Sequence, residues 1–445
     1  MAARTLAEWL TLQESVHPKT IDMGLARVAS VARALGVDKP RCPVITVGGT
    51  NGKGSTVAHL DALLRATGAR TGMFTSPHFL RYNERIQVAG VEVTDEELVA
   101  AFERIEAARG STTLTFFEYN VLAALVIFAA HAVEVAILEV GLGGRLDAVN
   151  LVDADVAVVC SIGFDHRDYL GDTLELIGAE KAGIFRAGRP AVLGTENLPS
   201  SVYAAIASLQ ARSVVAGKDF TFRVNDDDPM WSYKGLHLEW RNLPPSALPG
   251  SIQYTNAATA LAALEALGGV PLDERVASEA LHRVRLPGRF QTVQAVGRPV
   301  DQSAHGSADG RPVEWILDIA HNEPAAAIFA TQVAERAAAT LGTSGQKGRT
   351  FAVVGILGDK DAGAIARLVD PVVDHWILCS LGGPRGTTAA DLAQRMQLPS
   401  PKLTLAASVE EGCEVARATA KPGDRVLVFG SFHTVGPAMR WLGLY

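Results

Sequence analysis

Short β-branched runs alternate along the chain with alanine-rich stretches whose apolar positions recur at helical spacing. Most of the short runs are apolar at every position, so both faces of each strand need cover, as in a parallel sheet between two layers of helices. Buried strands are predicted at Val44 to Val47, Thr71 to Thr75, Val135 to Val140, Val156 to Ser161 and Ala191 to Leu193. A second set follows at Trp315 to Ile319, Ala352 to Ile356, Trp376 to Cys379 and Arg425 to Phe429. Between the sets, Ala257 to Leu267 reads as a helix closed by Gly268 and Gly269. Pro287-Gly288 breaks regular structure and sets a boundary that divides the chain into domains 1–287 and 288–445. The polar stretches Asp301 to Arg311 and Gly342 to Arg349 read as exposed loops.

Composition narrows the class. The chain has 445 residues, 48% hydrophobic and 20% charged, long enough for two or three domains and a large core. With 41 Lys+Arg against 48 Asp+Glu the net charge is -7 and no basic run occurs, which argues against nucleic acid and acidic membranes as partners. The longest wholly apolar run, Val121 to Ala130, is about half a bilayer span and reads as a buried helix. The N-terminus lacks a signal-peptide apolar block. Cys42, Cys160, Cys379 and Cys413 are widely spaced with no CxxC pair, which fits reduced thiols in a cytoplasmic protein, read here as a monomer.

The strand VITV runs into GGTNGKGST, Gly48 to Thr56, and then a helical pattern ending at Gly68. Glycines let backbone N–H groups approach phosphate oxygens, Lys53 supplies a point charge, and a hydroxyl of Ser55 or Thr56 can reach Mg²⁺. Thr50, Asn51, Gly52 and Gly54 complete the cradle. The strict GxxxxGK[ST] spacing is not met, because Val47 replaces the first glycine and Gly54 separates Lys53 from Ser55. Glu139 ends an apolar strand, where ligands of open α/β sheets bind, so it is either a hard metal ligand or a buried acid paired with Arg145. His166 in GFDHRDYLG ends the next strand, and Ser76 in TSPH follows an earlier one; read alone, each is a metal ligand or a structural residue. Lys181 alone reads as a surface lysine on a helix leading to Gly183, and Asn256 as the N-cap of the alanine-rich helix.

The loop GTNGKGST resembles that of the folylpolyglutamate synthase and dihydrofolate synthase group of the Mur ligase superfamily, and further motifs match in the same order over nearly the whole chain. The resemblance implies an α/β fold with a P-loop Mur-ligase-like domain, built on a mostly parallel sheet, and a smaller Rossmann-like C-terminal domain. It implies that Glu139, His166 and Ser76 bind magnesium, two ions in all, and that Lys181, in EKAGI, is carbamylated. Asn256 would read the base, Arg289 in LPGRF would reach phosphate, and Asp318 in LDIAHN would hold the ribose, closing ATP between two domains. His321, Asn322, Ser431 and His433 would line the cleft, with Asp359 and Lys360 as further candidates. Three pterin-binding walls would come from Asp22, Met23, Gly24 and Leu25, from Thr115, Phe116, Phe117 and Glu118, and from Leu146, Asp147 and Ala148. The phenylalanines can offer faces to a flat heterocycle and the acids can accept its N–H groups, although adjacent Phe residues also suit a core.

The implied reaction is ATP-dependent ligation of L-glutamate to dihydropteroate or reduced folates through an acyl phosphate. A Mur-type ligase of cell-wall synthesis is disfavoured, because 47 residues before Gly48 are too few for a UDP-binding domain. A regulatory NTPase is disfavoured too: Asp168 to Gly171 fits DxxG, but no NKxD motif exists. Val149 stands where many relatives have Thr, and the insertion Arg298 to Glu314 lengthens one link.

Overall fold

The computed structural model describes residues 4–19, 21–225, 228–294, 312–344 and 348–445. The chain divides into two compact units, residues 1–247 with 252–285, and residues 248–251 with 286–445.

Eight strands of the first unit form one sheet: β1 (Val44–Gly48), β2 (Thr71–Phe74), β3 (Ile86–Val88), β4 (Val91–Glu92), β5 (Val135–Glu139), β6 (Val156–Val159), β7 (Pro190–Leu193) and β8 (Arg212–Val215). Their order is β4-β3-β2-β5-β1-β6-β7-β8. β3 and β4 join antiparallel at one edge and the other pairs are parallel. β1 therefore lies between β5 and β6, with Val47 opposite Glu139 on one side and Val158 on the other. The five predicted strands of this sheet are all present, and each is buried at every position. Helix Lys53–Ala66 packs on the sheet and on helix Ile252–Leu267. The apolar run from Val121 lies in the buried helix Phe116–Ala130. A three-stranded antiparallel sheet, β9 (Thr221–Val224), β10 (Trp231–Lys234) and β11 (Glu239–Leu243), completes the unit. Glu265 ties its hairpin to helix Ile252–Leu267, accepting from the Tyr233 hydroxyl at 2.5 Å and the His237 and Leu238 amides at 2.7 and 2.8 Å.

The second unit is a six-stranded sheet built from β12 (Gln291–Gln294), β13 (Glu314–Asp318), β14 (Thr350–Val354), β15 (His375–Cys379), β16 (Leu403–Ala406) and β17 (Arg425–Phe429). Its order is β12-β13-β17-β14-β15-β16, with only β12 antiparallel. Ile316, Val354, Trp376, Leu427 and Phe429 face a core that includes Phe329.

One loop expectation changes. Helix Glu323–Ser344 continues through the first residues of the loop expected at 342–349, whose residues 345–347 lie outside the described ones. The expected loop Asp301 to Arg311 also lies outside them, as does most of the Arg298 to Glu314 insertion. Among the described residues no helix is long and apolar enough to cross a membrane.

Candidate functional site

The loop after β1 turns through Gly49 and Gly52, both at positive φ, and enters helix Lys53–Ala66. Gly52 sits at φ 86°, and a Cβ there would lie 2.8 Å from Asn256 Oδ1 and 3.3 Å from Cys160 Cβ, so only glycine fits without displacing Asn256. The loop is braced by residues after β6: the Thr50 amide donates to Ser161 O at 2.8 Å, Ser161 Oγ bonds the Asn51 backbone, and Thr50 Oγ1 exchanges bonds with Gly163. Ser55 and Thr56 are buried in the first helical turn, beside Gly54.

Two lysines converge on this loop. Lys53 Nζ donates to the carbonyls of Gly49 at 3.0 Å and Thr50 at 3.1 Å, and Lys181 Nζ donates to the same Gly49 carbonyl at 3.1 Å. The surface-lysine reading of Lys181 is overturned, since the side chain is only 5% exposed near the end of helix Leu174–Ala182. Burial, then the positive charge of Lys53, lowers its pKa from 10.5 to about 7, against the opposing pull of Asp165 and Asp147. Asn256 is not an N-cap: helix Ile252–Leu267 starts a turn earlier, and the buried Asn256 amide donates to Gln253 Oε1 at 2.9 Å.

Glu139 is buried at the end of β5 and accepts from the Ser76 amide at 3.2 Å. It does not pair with Arg145, which bonds Glu180 at 2.7 Å. His166 adopts the left-handed conformation (φ 50°), with its amide bonded to Asp165 Oδ1. Among the described residues no three His, Cys, Asp or Glu side chains form a group able to hold a metal ion. Ser76 is thus bonded to Glu139, and His166 to Asp165. Buried carboxylate and hydroxyl oxygens at the strand ends do suit a hard divalent cation.

The three expected pterin walls meet. At Gly143 the place of a Cβ lies 3.0 Å from Leu170 and 3.6 Å from the Met23 methyl, and at Gly141 it lies 2.5 Å from the Phe117 ring. Asp147 is buried and accepts from the Leu142 and Val149 amides at 2.7 and 2.9 Å; burial raises its pKa to about 6. Thr115 caps helix Phe116–Ala130, with Glu118 returning a bond to the Thr115 amide. Phe117 packs against Phe74, and Phe116 meets Tyr82 edge-on. Gly24 is at an extended φ of 159°, next to Leu25, which precedes helix Ala26–Leu35. Leu146 and Ala148 flank Asp147 in the same turn.

In the second unit, the loops after β13, β14 and β17 leave adjacent strand ends. Asp318 is half-buried and accepts from the amides of Phe290 and Ala320, both at 2.8 Å; desolvation raises its pKa, against the nearby Arg289 charge. The Arg289 guanidinium lies 6.0 Å from the Phe432 ring centroid. Asn322 caps the helix after β13 through the Ala325 amide, Ser431 caps helix Phe432–Trp441, and His321 bonds its own loop. Burial, then Arg385, lowers the His433 pKa. Asp359 pairs with Lys360 at 3.5 Å and Arg385 at 3.6 Å.

Asp165, Ser161, Arg27 and His17 received no role from the sequence. Asp165 and Ser161 stand at the end of β6 and were open to the strand-end argument; Arg27 and His17 lie in the stretch His17 to Val28 that resembles a pterin-binding segment of the family, where only Asp22 to Leu25 were singled out.

A phosphate loop rising from the central strand of a parallel sheet, with lysines on its carbonyls, defines a nucleotide-dependent enzyme, and family models narrow that class to ATP-dependent ligases. The Mur ligase middle domain matches residues 47–264 and the Mur ligase glutamate ligase domain residues 288–432. Dihydrofolate synthase/folylpolyglutamate synthase of Escherichia coli (strain K12) is 43% identical over 438 residues, 98% of this chain and 96% of that protein. Its namesake from Haemophilus influenzae is 40% identical over 444 residues, 98% and 97% of the two chains. The structure of E. coli FolC in complex with DHPP and ADP superposes with a TM-score of 0.88 at 41% identity, covering 100% of this chain and 99% of that one. A bifunctional folylpolyglutamate synthase/dihydrofolate synthase with Mn, AMPPNP and L-glutamate bound gives 0.87 at 39% identity, covering 100% and 99%. The chain belongs to the dihydrofolate synthase/folylpolyglutamate synthase family of Mur ligases.

Proposed function

We propose that the protein joins L-glutamate to the carboxylate of dihydropteroate, to the γ-carboxylate of reduced folates, or to both, with ATP as co-substrate and ADP and phosphate as products. The observation that carries this reading is the glycine turn between β1 and helix Lys53–Ala66, at which Lys53 supplies positive charge and the buried amine of Lys181 shares its contact with the Gly49 carbonyl. The relatives' bound ADP, AMPPNP, L-glutamate and DHPP support it.

In this reading Thr50, Asn51, Gly52, Lys53, Gly54, Ser55 and Thr56 cradle the phosphates, Asn256 reads the base, and Arg289 and Asp318 are nucleotide contacts carried by the second unit. The acceptor carboxylate attacks the γ-phosphorus and ADP leaves, so Lys53 and the loop amides neutralise charge on the transferring group. The glutamate amine then attacks the acyl carbon, loses a proton and expels phosphate. Mg²⁺, as one or two ions, would polarise the phosphoryl oxygens when bound. Its proposed holders are Ser55, Ser76, Glu139 and His166. Lys181, neutral for much of the time near pH 7, can add CO₂ and release a proton to become a carbamate. Residues 1–287 would bind ATP and the pterin, and residues 288–445 the glutamate, with His321, Asn322, Ser431 and His433 at the strand ends. The protein is proposed to work in the cytoplasm as a monomer.

ADP release measured with and without each acceptor tests the reading: release should require L-glutamate together with dihydropteroate or tetrahydrofolate. Release indifferent to both would refute it. Intact-mass measurement under bicarbonate tests the Lys181 adduct.

A further inference from the structure

Helix Lys53–Ala66 carries the phosphate turn at its start, and its buried Val57, Leu60, Leu63 and Leu64 hold it in place by contacts that have no direction. Hydrogen bonds from two polar side chains, about 200° apart round the helix, add the direction. Asp61 accepts from Thr71 Oγ1 at 2.5 Å and so ties the helix to β2. His59, 0% exposed, places Nδ1 2.7 Å from the Ser55 carbonyl and Nε2 2.8 Å from Ser246 Oγ.

The partners fix the bond directions. The Ser55 carbonyl can only accept, so Nδ1 carries the proton; Nε2 of the neutral ring then accepts and the Ser246 hydroxyl donates. Ser246 lies in the irregular segment 244–251, between β11 and helix Ile252–Leu267. Within the first unit this segment is pinned by Trp231 Nε1 on the Pro244 carbonyl at 2.7 Å, by His59 on Ser246, and by the Ala247 amide on the Leu281 carbonyl at 2.9 Å. Residues 248–251 belong to the second unit, after which helix Ile252–Leu267 begins, with Asn256 one turn in. Asn256 Oδ1 abuts the phosphate turn, 2.8 Å from the place of a Gly52 Cβ. His59 therefore ties the helix of the phosphate turn to the chain that leads into the helix bearing Asn256.

We propose that His59 is a positioning residue for the nucleotide: through Ser246 it fixes the register of helix Lys53–Ala66 against the entry to helix Ile252–Leu267, and so sets the distance between the phosphate turn and the base contact at Asn256. The bond to Ser55 orients the ring, and the bond to Ser246 transmits the constraint. The proposal rests on the nucleotide reading of the turn and of Asn256 above. A ligand that spans both ends feels the register, whereas one that fills the turn alone does not.

The test uses the full chain and two ligands, ATP and inorganic tripolyphosphate, which has the phosphates without the base, with Kd for each measured by calorimetry in Mg²⁺. The carboxamide of His59→Asn can still donate to the Ser55 carbonyl but does not reach Ser246. That variant and Ser246→Ala should each weaken ATP about threefold to tenfold, the loss expected for one hydrogen bond, and leave tripolyphosphate within about twofold. His59→Gln, whose longer carboxamide can accept from Ser246, should bind ATP nearly as well as the unaltered protein. In Asn256→Ala, where the base contact is already lost, adding Ser246→Ala should cost nothing more. A loss shared equally by ATP and tripolyphosphate, an equal loss in His59→Gln and His59→Asn, or an undiminished effect of Ser246→Ala beside Asn256→Ala would each overturn the proposal. If His59→Asn does not fold, Ser246→Ala, at a half-buried position, decides by the ratio of the two ligands. An unaltered protein that binds neither ligand, or whose ATP affinity survives Asn256→Ala, defeats the nucleotide reading and this proposal with it. ATP binding weakened by Asn256→Ala but untouched by Ser246→Ala defeats the role of His59 alone.

Discussion

Replacing Lys181 by Met should stabilise the ligand-free protein while ending turnover. In the unfolded chain the amine keeps its proton up to pH 10.5, but in the native fold it releases it near 7. Between those values the unfolded state binds more protons, so native stability rises with pH, and below 7 the full cost of burying the charge is present. At about 1.4 kcal/mol per pH unit the cost reaches an upper bound of about 5 kcal/mol. Met is similar in length and carries no charge, and the Gly49 carbonyl that Lys181 leaves still accepts from Lys53. Urea unfolding of both proteins in CO₂-free buffer at pH 6, 8 and 9.5 should show the variant ahead by several kcal/mol at pH 6 and the gap closing as pH rises. A gap constant with pH, or a variant less stable at pH 6, would refute the reasoning. Bicarbonate should stabilise only the lysine form, since it alone can be carbamylated.

Asp318→Asn turns a carboxamide NH2 donor towards one of two backbone amide donors, Phe290 or Ala320, and should cost about 1–3 kcal/mol by calorimetry while raising the KM for ATP. Glu265→Ala releases the β10–β11 hairpin and should lower stability by about 2 kcal/mol with kcat unchanged. His59 is buried, bonded to Ser55 O and Ser246 Oγ, and burial lowers its pKa to about 4. Its contribution is whole above pH 6.5 and is lost as pH falls towards 4, up to about 3 kcal/mol, and His59→Gln should flatten that acid limb in denaturant titrations.

The parts legible in the sequence are those where one force dominates. Strands such as β1, β5, β6 and β17 are covered on both faces, so nearly every position is apolar and the run announces itself. β9, mostly exposed, and β12, half-exposed and polar, have no such run, and β4 has only two residues. They form because neighbouring strands offer backbone partners, a condition no local pattern encodes. Asn256 misled because Gln253, Thr255 and Asn256 look like a cap region, yet Gln253 and Asn256 bond each other inside the helix. Lys181 was out of reach from its own residues, since its burial depends on the Gly49 turn, which lies 132 residues earlier.

The position of β1 carries a dynamic consequence. Its amides are shared with β5 and β6 and shut away in the middle of eight strands, so their hydrogen exchange should proceed only through opening of the whole first unit. The turn it feeds inherits a rigid base, and nucleotide should therefore slow deuterium uptake in the turn and the first turn of helix Lys53–Ala66 far more than in the strand. Binding would be registered as local quieting above a platform that is already still.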